Sequence, residues 1–260
     1  MPTIDVTRAG GIATVAFNNP GKLNAITVAM WIDFARRMRE LSADEDLRCI
    51  VLRGAGGRAF AAGADIAEFA HARNNFTQGK VYHLEYVAGA LEAVGACRHP
   101  TVALIQGPCA GGGLEIACQC DLRIAAASGR FGVPINRLGF AIAYGELAGL
   151  LAVAGRAAAA EILLEGRMWD AEEAYAKGLL TRVVPDDAVE AEAYTTARRI
   201  AAGAPLVARW HKQFIRRLTS QAEPLTPAEV DANFDYFNTT DYRIGYDAFL
   251  RKQKPEFTGR

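Results

Sequence analysis

The sequence predicts an α/β protein with an all-helical C-terminal region, and three observations carry that prediction. Residues 53–66 and 106–115 each place a glycine-rich elbow between an apolar, β-prone run and a helix start. Strand-like and helix-like periodicities keep interleaving as far as Val184. Beyond Ala204-Pro205 only helical patterns remain. The chain is therefore divided into an α/β core, residues 1–203, and a helical C-terminal region, residues 204–260.

Taken in order, residues 3–6 and 12–17 flank Ala9-Gly10-Gly11 and predict a hairpin with a glycine turn. Residues 18–25 are turn-rich, and Thr27 is placed to cap a helix over 28–41 whose apolar residues recur at helical spacing. Cys49-Ile50-Val51-Leu52 reads as a short buried strand, and the elbow after it ends at Asp65, a candidate N-cap. The stripe Val81, Leu84, Tyr86, Val87, Leu91 and Val94 predicts one helix over 75–97, stopped by His99-Pro100. Residues 101–105 form a strand, 114–120 a short buried helix, 122–126 a strand and 131–134 an extended piece. Helices follow over 145–154, 157–164, 170–177 (closed by Gly178) and 188–202, with a late strand at 181–184. The C-terminal helices cover 206–218, 227–237 and 241–252. Their Trp210, Phe214, Phe234, Phe237, Tyr246 and Phe249 exceed what a layer facing only water needs, so this region is expected to pack against a neighbouring subunit.

Composition narrows the function. Lys and Arg number 29 and Asp and Glu 29, so no charge excess recruits nucleic acid or an acidic membrane. The start, Met1-Pro2-Thr3-Ile4, has no signal-peptide pattern, and charges and glycines interrupt every long apolar stretch, which makes a cytoplasmic protein without a membrane span the expectation. Five cysteines, odd in number and set in apolar runs, predict buried reduced thiols. Four histidines without ligand spacing give no metal site.

Among candidate motifs, Gly54-Ala55-Gly56-Gly57-Arg58-Ala59 follows a strand as a dinucleotide fingerprint does, but another loop comes next instead of a helix. Gly111-Gly112-Gly113 lacks the Lys-Ser/Thr pair of a phosphate loop. What that glycine run does offer is backbone N–H groups with no Cβ in front of them, at a helix N-terminus, which suits a developing oxyanion. Glu115 lies one turn into the same apolar helix, where packing gives no reason for a carboxylate.

The paired elbows and the carboxylate resemble the crotonase superfamily, the enoyl-CoA hydratase/isomerase family. The resemblance rests on Leu23-Asn24-Ala25, on Ala59-Phe60-Ala61-Ala62-Gly63-Ala64-Asp65-Ile66, and on the run from Pro100 through Gly111-Gly112-Gly113-Leu114-Glu115 to Cys120-Asp121. It continues through Phe131-Gly132-Val133-Pro134, Ala171-Glu172-Glu173-Ala174 to Gly178-Leu179, and Val183-Val184-Pro185, in family order over nearly the whole chain. It implies a spiral core of repeated ββα units, a helical part that makes trimers usually paired into hexamers, and an acyl-CoA thioester ligand with no metal or redox cofactor.

Carried over by position, the resemblance makes the N–H groups of Ala64 and Gly112 the oxyanion hole and Glu115 the first hydratase glutamate. It places Lys22 and the Ala64, Asp65, Ile66, Ala67 turn along CoA, with Leu23, Ala25, Ala62 and Gly111 beside them. Ala67 stands where hydratases often carry lysine. Lys252 matches a position reaching the CoA phosphates of an adjacent subunit, and Phe234 lies one residue from a matching aromatic. The second hydratase glutamate position is Ile135, and an isomerase carboxylate position is Ala143, so both acids are missing. Tyr144 and Glu146 are the nearby substitutes. The implied function is an enoyl-CoA hydratase or isomerase with Glu115 as acid/base. The alternatives are a single-carboxylate acyl-CoA isomerase, lyase or decarboxylase, or a silent acyl-CoA or RNA binder.

Overall fold

The structure, a computed structural model, describes residues 1–220, 226–232 and 235–260. Strands β1 (Thr3–Ala9) and β2 (Ile12–Asn18) pair antiparallel across Gly10 and Gly11, whose φ values of 56° and 75° are the left-handed turn conformation glycine accepts freely. Helix α1 (Val28–Ala43) starts where Thr27 accepts a hydrogen bond from Met30 N. Strand β3 (Cys49–Gly54) then pairs parallel to β2.

Helices α2 (Phe69–Ala72), α3 (Phe76–Val81) and α4 (Ala88–Gly95) follow, with a π-helical stretch, Tyr82–Val87, joining the last two. The expected helix over 75–97 runs without interruption from Phe76 to Gly95, with a change of pitch in its middle. The change shifts the phase of the buried face, so Leu84 is turned out to 60% exposure while Tyr82 goes inside.

From here the chain repeats one unit. Strand β4 (Thr101–Ile105), short strand β5 (Pro108–Ala110) and helix α5 (Gly112–Gln119) are one instance. Strands β6 (Leu122–Ala126) and β7 (Arg130–Gly132) with helix α6 (Tyr144–Glu165) are the next. The first strand of each unit joins a six-stranded sheet of order β1-β2-β3-β4-β6-β9, and the second joins a small sheet of order β5-β7-β8. Strand β8 (Trp169–Asp170), helix α7 (Ala171–Ala176), strand β9 (Arg182–Val184) and helix α8 (Val189–Ala201) complete the core. This is the crotonase spiral of ββα units. Helix α6 is interrupted at Gly155 (φ 74°), which is why the sequence reads as two helices there. By length and composition it is apolar enough to cross a membrane, and it is the one described helix that is.

Alternation along the parallel strands fills both faces of the large sheet. Ile50 and Leu52 of β3 enter the main core with Trp31, Phe34 and Met38 of α1. Cys49 and Val51 point the other way, onto Val189, Ala193 and Ala197 of α8. All five cysteines are buried and unpaired, and burial pushes the Cys49, Cys118 and Cys120 thiols up to about 12.

The C-terminal region is helical: α9 (Pro205–Ser220), α10 (Pro227–Ala232), a 3₁₀ turn over Asp235–Asn238, and α11 (Thr240–Leu250). Helix α9 is tied to its own core. Lys212 Nζ lies 2.8 Å from Asp121 Oδ2 and donates to the His99 carbonyl, and Arg209 donates to the Glu45 carbonyl. Farther along, Ile215, Leu218, Phe237 and Leu250 remain exposed.

The two elbows touch through backbone. Ala61 N donates to Pro108 O at 3.2 Å, and Ala110 N donates to Ala61 O at 3.0 Å. Gly113 packs so closely that a Cβ there would lie 2.4 Å from Ala61 O. Gly113→Ala is therefore expected to destabilise the fold by about 1–3 kcal/mol. A urea titration checks this, the midpoint falling at unchanged slope.

Candidate active site

Strand pairing aims the first donor. The Ile26–Ala64 bridge is parallel: Ile26 N donates to Gly63 O at 2.8 Å and Asp65 N donates to Ile26 O at 2.9 Å. The N–H of Ala64 itself must then point to the opposite side, as in any parallel ladder. Gly63 permits the bend with φ 101°, and its Cα lies against the other elbow. The second donor is Gly112 N, the first amide of α5, which has no partner within its helix. A Cβ on Gly112 would meet the Trp31 ring at 2.7 Å, so the indole sets where that amide sits. Trp31 is fixed in turn by donating from Nε1 to Tyr82 Oη at 3.1 Å.

Ala64 and Gly112 border a cavity of about 130 Å³. Ala62, Ala64, Ile66, Gly111, Gly112, Glu115 and Ile135 line it. Lys22, Asp65 and Ala67 line a second, adjoining groove, which shares the 64–67 turn with the cavity. There Lys22 Nζ contacts Asp65 Oδ2 at 2.7 Å, and Asp65 accepts from Ala67 N as the N-cap of that turn. Leu23 and Ala25 line neither space. Leu23 instead hands its carbonyl to Ala62 N, and Ala25 is buried behind it.

Two candidates fall elsewhere. Tyr144 begins α6 at 94% exposure and lines no part of the cavity, because the first helical turn aims it outwards and aims Glu146 in. Lys252 is exposed with φ 54° and lines neither space of its own chain. Phe234 lies outside the described residues.

Glu115 is 8% exposed, and its carboxyl accepts no hydrogen bond from a protein donor among the described residues. Burial drives its pKa well above the usual carboxylate range, the charge of Glu146 adds to that, and Arg73 opposes it. Glu146 is buried more deeply, at 4%. Its Oε1 lies 2.5 Å from His83 Nδ1 and its Oε2 accepts from Ala143 N at 3.2 Å. Arg73 completes the charged group. Its guanidinium carbon stands 4.3 Å from the Phe69 ring centre and 4.2 Å from that of Phe140. Burial lowers its pKa, against the pull of Tyr82, Glu146 and Glu115. Burial also pushes the Tyr82 hydroxyl up to about 12.

Trp31, Arg73, Tyr82 and His83 were not legible as site residues. They come from α1, the end of α2 and the π-helical stretch, and only the fold gathers them. The arrangement brings Ala64, Gly112 and two carboxyls, Glu115 and Glu146, to one cavity.

The spiral of ββα units defines the class of fold, and comparison with known proteins places the chain within it. The enoyl-CoA hydratase/isomerase family model matches residues 7–260. The chain is 36% identical to a probable enoyl-CoA hydratase of Mycobacterium tuberculosis over 99% of this chain and 98% of that protein. It is 31% identical to the 1,2-epoxyphenylacetyl-CoA isomerase of Escherichia coli, over 96% of each. A crystal structure of an enoyl-CoA hydratase/carnithine racemase from Magnetospirillum magneticum superposes with a TM-score of 0.97 at 52% identity, covering 100% of this chain and 97% of that one. The chain belongs to the enoyl-CoA hydratase/isomerase family.

The raised pKa of Glu115 has a consequence for stability. The folded protein holds this proton more tightly than the unfolded chain does, so the contribution is complete below the ordinary value of 4.5 and is lost as pH rises through the folded value. Every tenfold difference in proton affinity between the folded and unfolded chain is worth about 1.4 kcal/mol. Thermal melts of wild type and Glu115→Gln from mildly acidic to mildly alkaline pH are expected to diverge, wild type losing Tm with rising pH while the variant keeps it.

Proposed function

We propose that this protein acts on acyl-CoA thioesters by stabilising a thioester enolate, with the Ala64 and Gly112 N–H groups as the oxyanion hole and Glu115 as acid/base. The observation that supports the reading is that one small cavity is lined by Ala64, by Gly112 at a helix N-terminus, and by a buried carboxyl that has no hydrogen-bond donor among the described residues. Proton transfer beside a thioester, or addition to its conjugated alkene, places negative charge on the carbonyl oxygen. Donors already aimed at that oxygen stabilise the charge without the reorganisation water would need, at about 2.7–4 kcal/mol each. No metal or redox cofactor enters this chemistry, and the coenzyme A is part of the substrate.

The adjoining groove would take the CoA arm, with Lys22 and the Ala67 turn beside it, and Lys252 would serve the groove of a neighbouring copy. The exposed Ile215, Leu218, Phe237 and Leu250 support a trimer or hexamer built through the 204–260 region. Light scattering is expected to give a trimer or a multiple of it, and a stable monomer at micromolar concentration would refute the assembly.

The activity is tested by titrating the protein with butyryl-CoA and by measuring turnover of crotonyl-CoA and 3-butenoyl-CoA. Wild type is expected to bind the first and convert at least one of the others. Glu115→Gln should keep the binding and lose on the order of 10²–10⁴ in turnover. A wild type that does not bind butyryl-CoA, or a Glu115→Gln variant as active as wild type, counts against the proposal.

A further inference from the structure

The position of the second family glutamate holds Ile135, yet the cavity is not short of a second carboxyl. Glu146 lines it together with Glu115, from the opposite element: Glu115 stands on α5 and Glu146 on the first turn of α6. We propose that Glu146, oriented by His83, is a second catalytic acid–base residue that exchanges a proton with the substrate in concert with Glu115. This inference rests on the acyl-CoA reading above.

Helix capping alone does not account for Glu146. Its Oε2 does accept from Ala143 N, as an N3 glutamate often does at a helix start. Such residues ordinarily face water, because an ionised carboxylate is costly to bury. Glu146 is instead 4% exposed, beside another carboxyl, with its second oxygen 2.5 Å from His83 Nδ1. A group that only closed a helix turn would gain nothing from that placement.

His83 supplies the link to water. Its side chain is 20% exposed, against 5% for that of Glu146, so the imidazole bridges a buried carboxyl to solvent. The ionisable groups facing Glu146 are Glu115 from α5, Arg73 from the end of α2, and Tyr82 and His83 from the π-helical stretch. Arg73 offsets one carboxylate charge, which leaves room for one proton on the pair. A carboxylate at Glu146 has the Ala143 N–H and His83 to bond to, whereas the Glu115 carboxyl has no such donor among the described residues, and burial favours its protonated form.

The proton balance closes for either family reaction. In a shift of a β,γ double bond into conjugation, Glu146 removes a Cα proton and the electron pair passes to the thioester oxygen, held by Ala64 N–H and Gly112 N–H. The dienolate collapses as Glu115 gives its proton to Cγ. In hydration, Glu146 takes a proton from water as the water oxygen bonds to Cβ, and Glu115 protonates Cα. In both, Glu146 then releases its proton through His83 to solvent and Glu115 takes one back.

The test is turnover of crotonyl-CoA and 3-butenoyl-CoA by wild type, E115Q, E146Q and H83Q, each with its melting curve and butyryl-CoA affinity. Gln at position 146 keeps an acceptor for Ala143 N but moves no proton. E146Q is expected to lose on the order of 10²–10⁴ in kcat at unchanged butyryl-CoA affinity. H83Q should lose less than E146Q and should change the shape of the pH–rate profile, because the imidazole that links Glu146 to solvent is gone. An active wild type, an inactive E115Q and an E146Q within about threefold of wild type, the scatter of a neutral substitution, overturn this inference and leave the acyl-CoA reading standing. A wild type that neither binds butyryl-CoA nor converts either alkene overturns both. If E146Q does not fold, H83Q decides: an unchanged rate and pH profile overturn the role, and a changed profile supports it.

Discussion

Backbone-to-backbone contact between two elbows is the constraint on which the rest of this structure depends. Ala61 and Cys109 form a parallel bridge, Gly63 Cα lies against Gly111, and Gly113 leaves no space for a Cβ before the Ala61 carbonyl. A side chain at Gly113, and to a lesser degree at Gly63, would push the elbows apart and shift the Ala64 and Gly112 segments relative to one another. The tight approach also explains why the second strand of each ββα unit is so short. Strand β5 has 3 residues because its work is to bring α5 up against the Ala61 segment and then stop.

The same closeness creates an electrostatic cost that the site manages with few groups. Two carboxyls, Glu115 and Glu146, and one guanidinium, Arg73, share a cavity lined by Trp31, Phe69, Tyr82, Val87 and Phe140. Coulomb repulsion between two carboxylates in such surroundings is far stronger than in water, so the pair resists double ionisation. Arg73 relieves that repulsion while being held between aromatic faces, which satisfy its charge without fixing its N–H edges to a carboxylate. The outcome is an unequal pair. Glu115, which has no hydrogen-bond donor among the described residues, holds its proton more tightly than an exposed carboxyl does, and Glu146 has an N–H and an imidazole at its two oxygens.

Much of this was legible in the sequence because it depends on local rules. Thr27, Asp65 and Asp170 cap the elements they were placed to cap or begin, each accepting from a backbone N–H in the next turn. The β4–elbow–α5 unit could be read because glycines in a row leave the backbone open, and because a carboxylate in an apolar helix has no packing role to fill. What could not be read are features set by long-range packing. The two-residue strand β8 has no periodicity to detect. The π-helical stretch changes helix pitch without any Gly or Pro to announce it, and that change moved Leu84 outside and Tyr82 inside. His83 belongs to the site through the same shift and Arg73 through the end of α2, and nothing in their local sequence sets them apart from solvated residues.

Ile135 and Glu146 show how a site can keep its geometry while its proton chemistry changes address. The amides proposed to bind the oxyanion are backbone groups, held by glycines and a strand bridge, and no side-chain substitution replaces them. Acid–base groups are side chains, and any element that borders the cavity can supply one. The 3₁₀ turn Pro134–Leu138 and left-handed Gly139 carry the chain past Ile135, which stays against the cavity as an apolar wall. The chain then turns into α6 so that its third residue, Glu146, faces the same space from the next element. A carboxyl on a helix start gains an N–H from its own turn, and the π-helical stretch brings His83 to its other oxygen. The combination gives Glu146 two fixed contacts where a carboxyl on the loop at Ile135 would have to find them from a short turn, and rigid elements hold such a group more accurately than loops do.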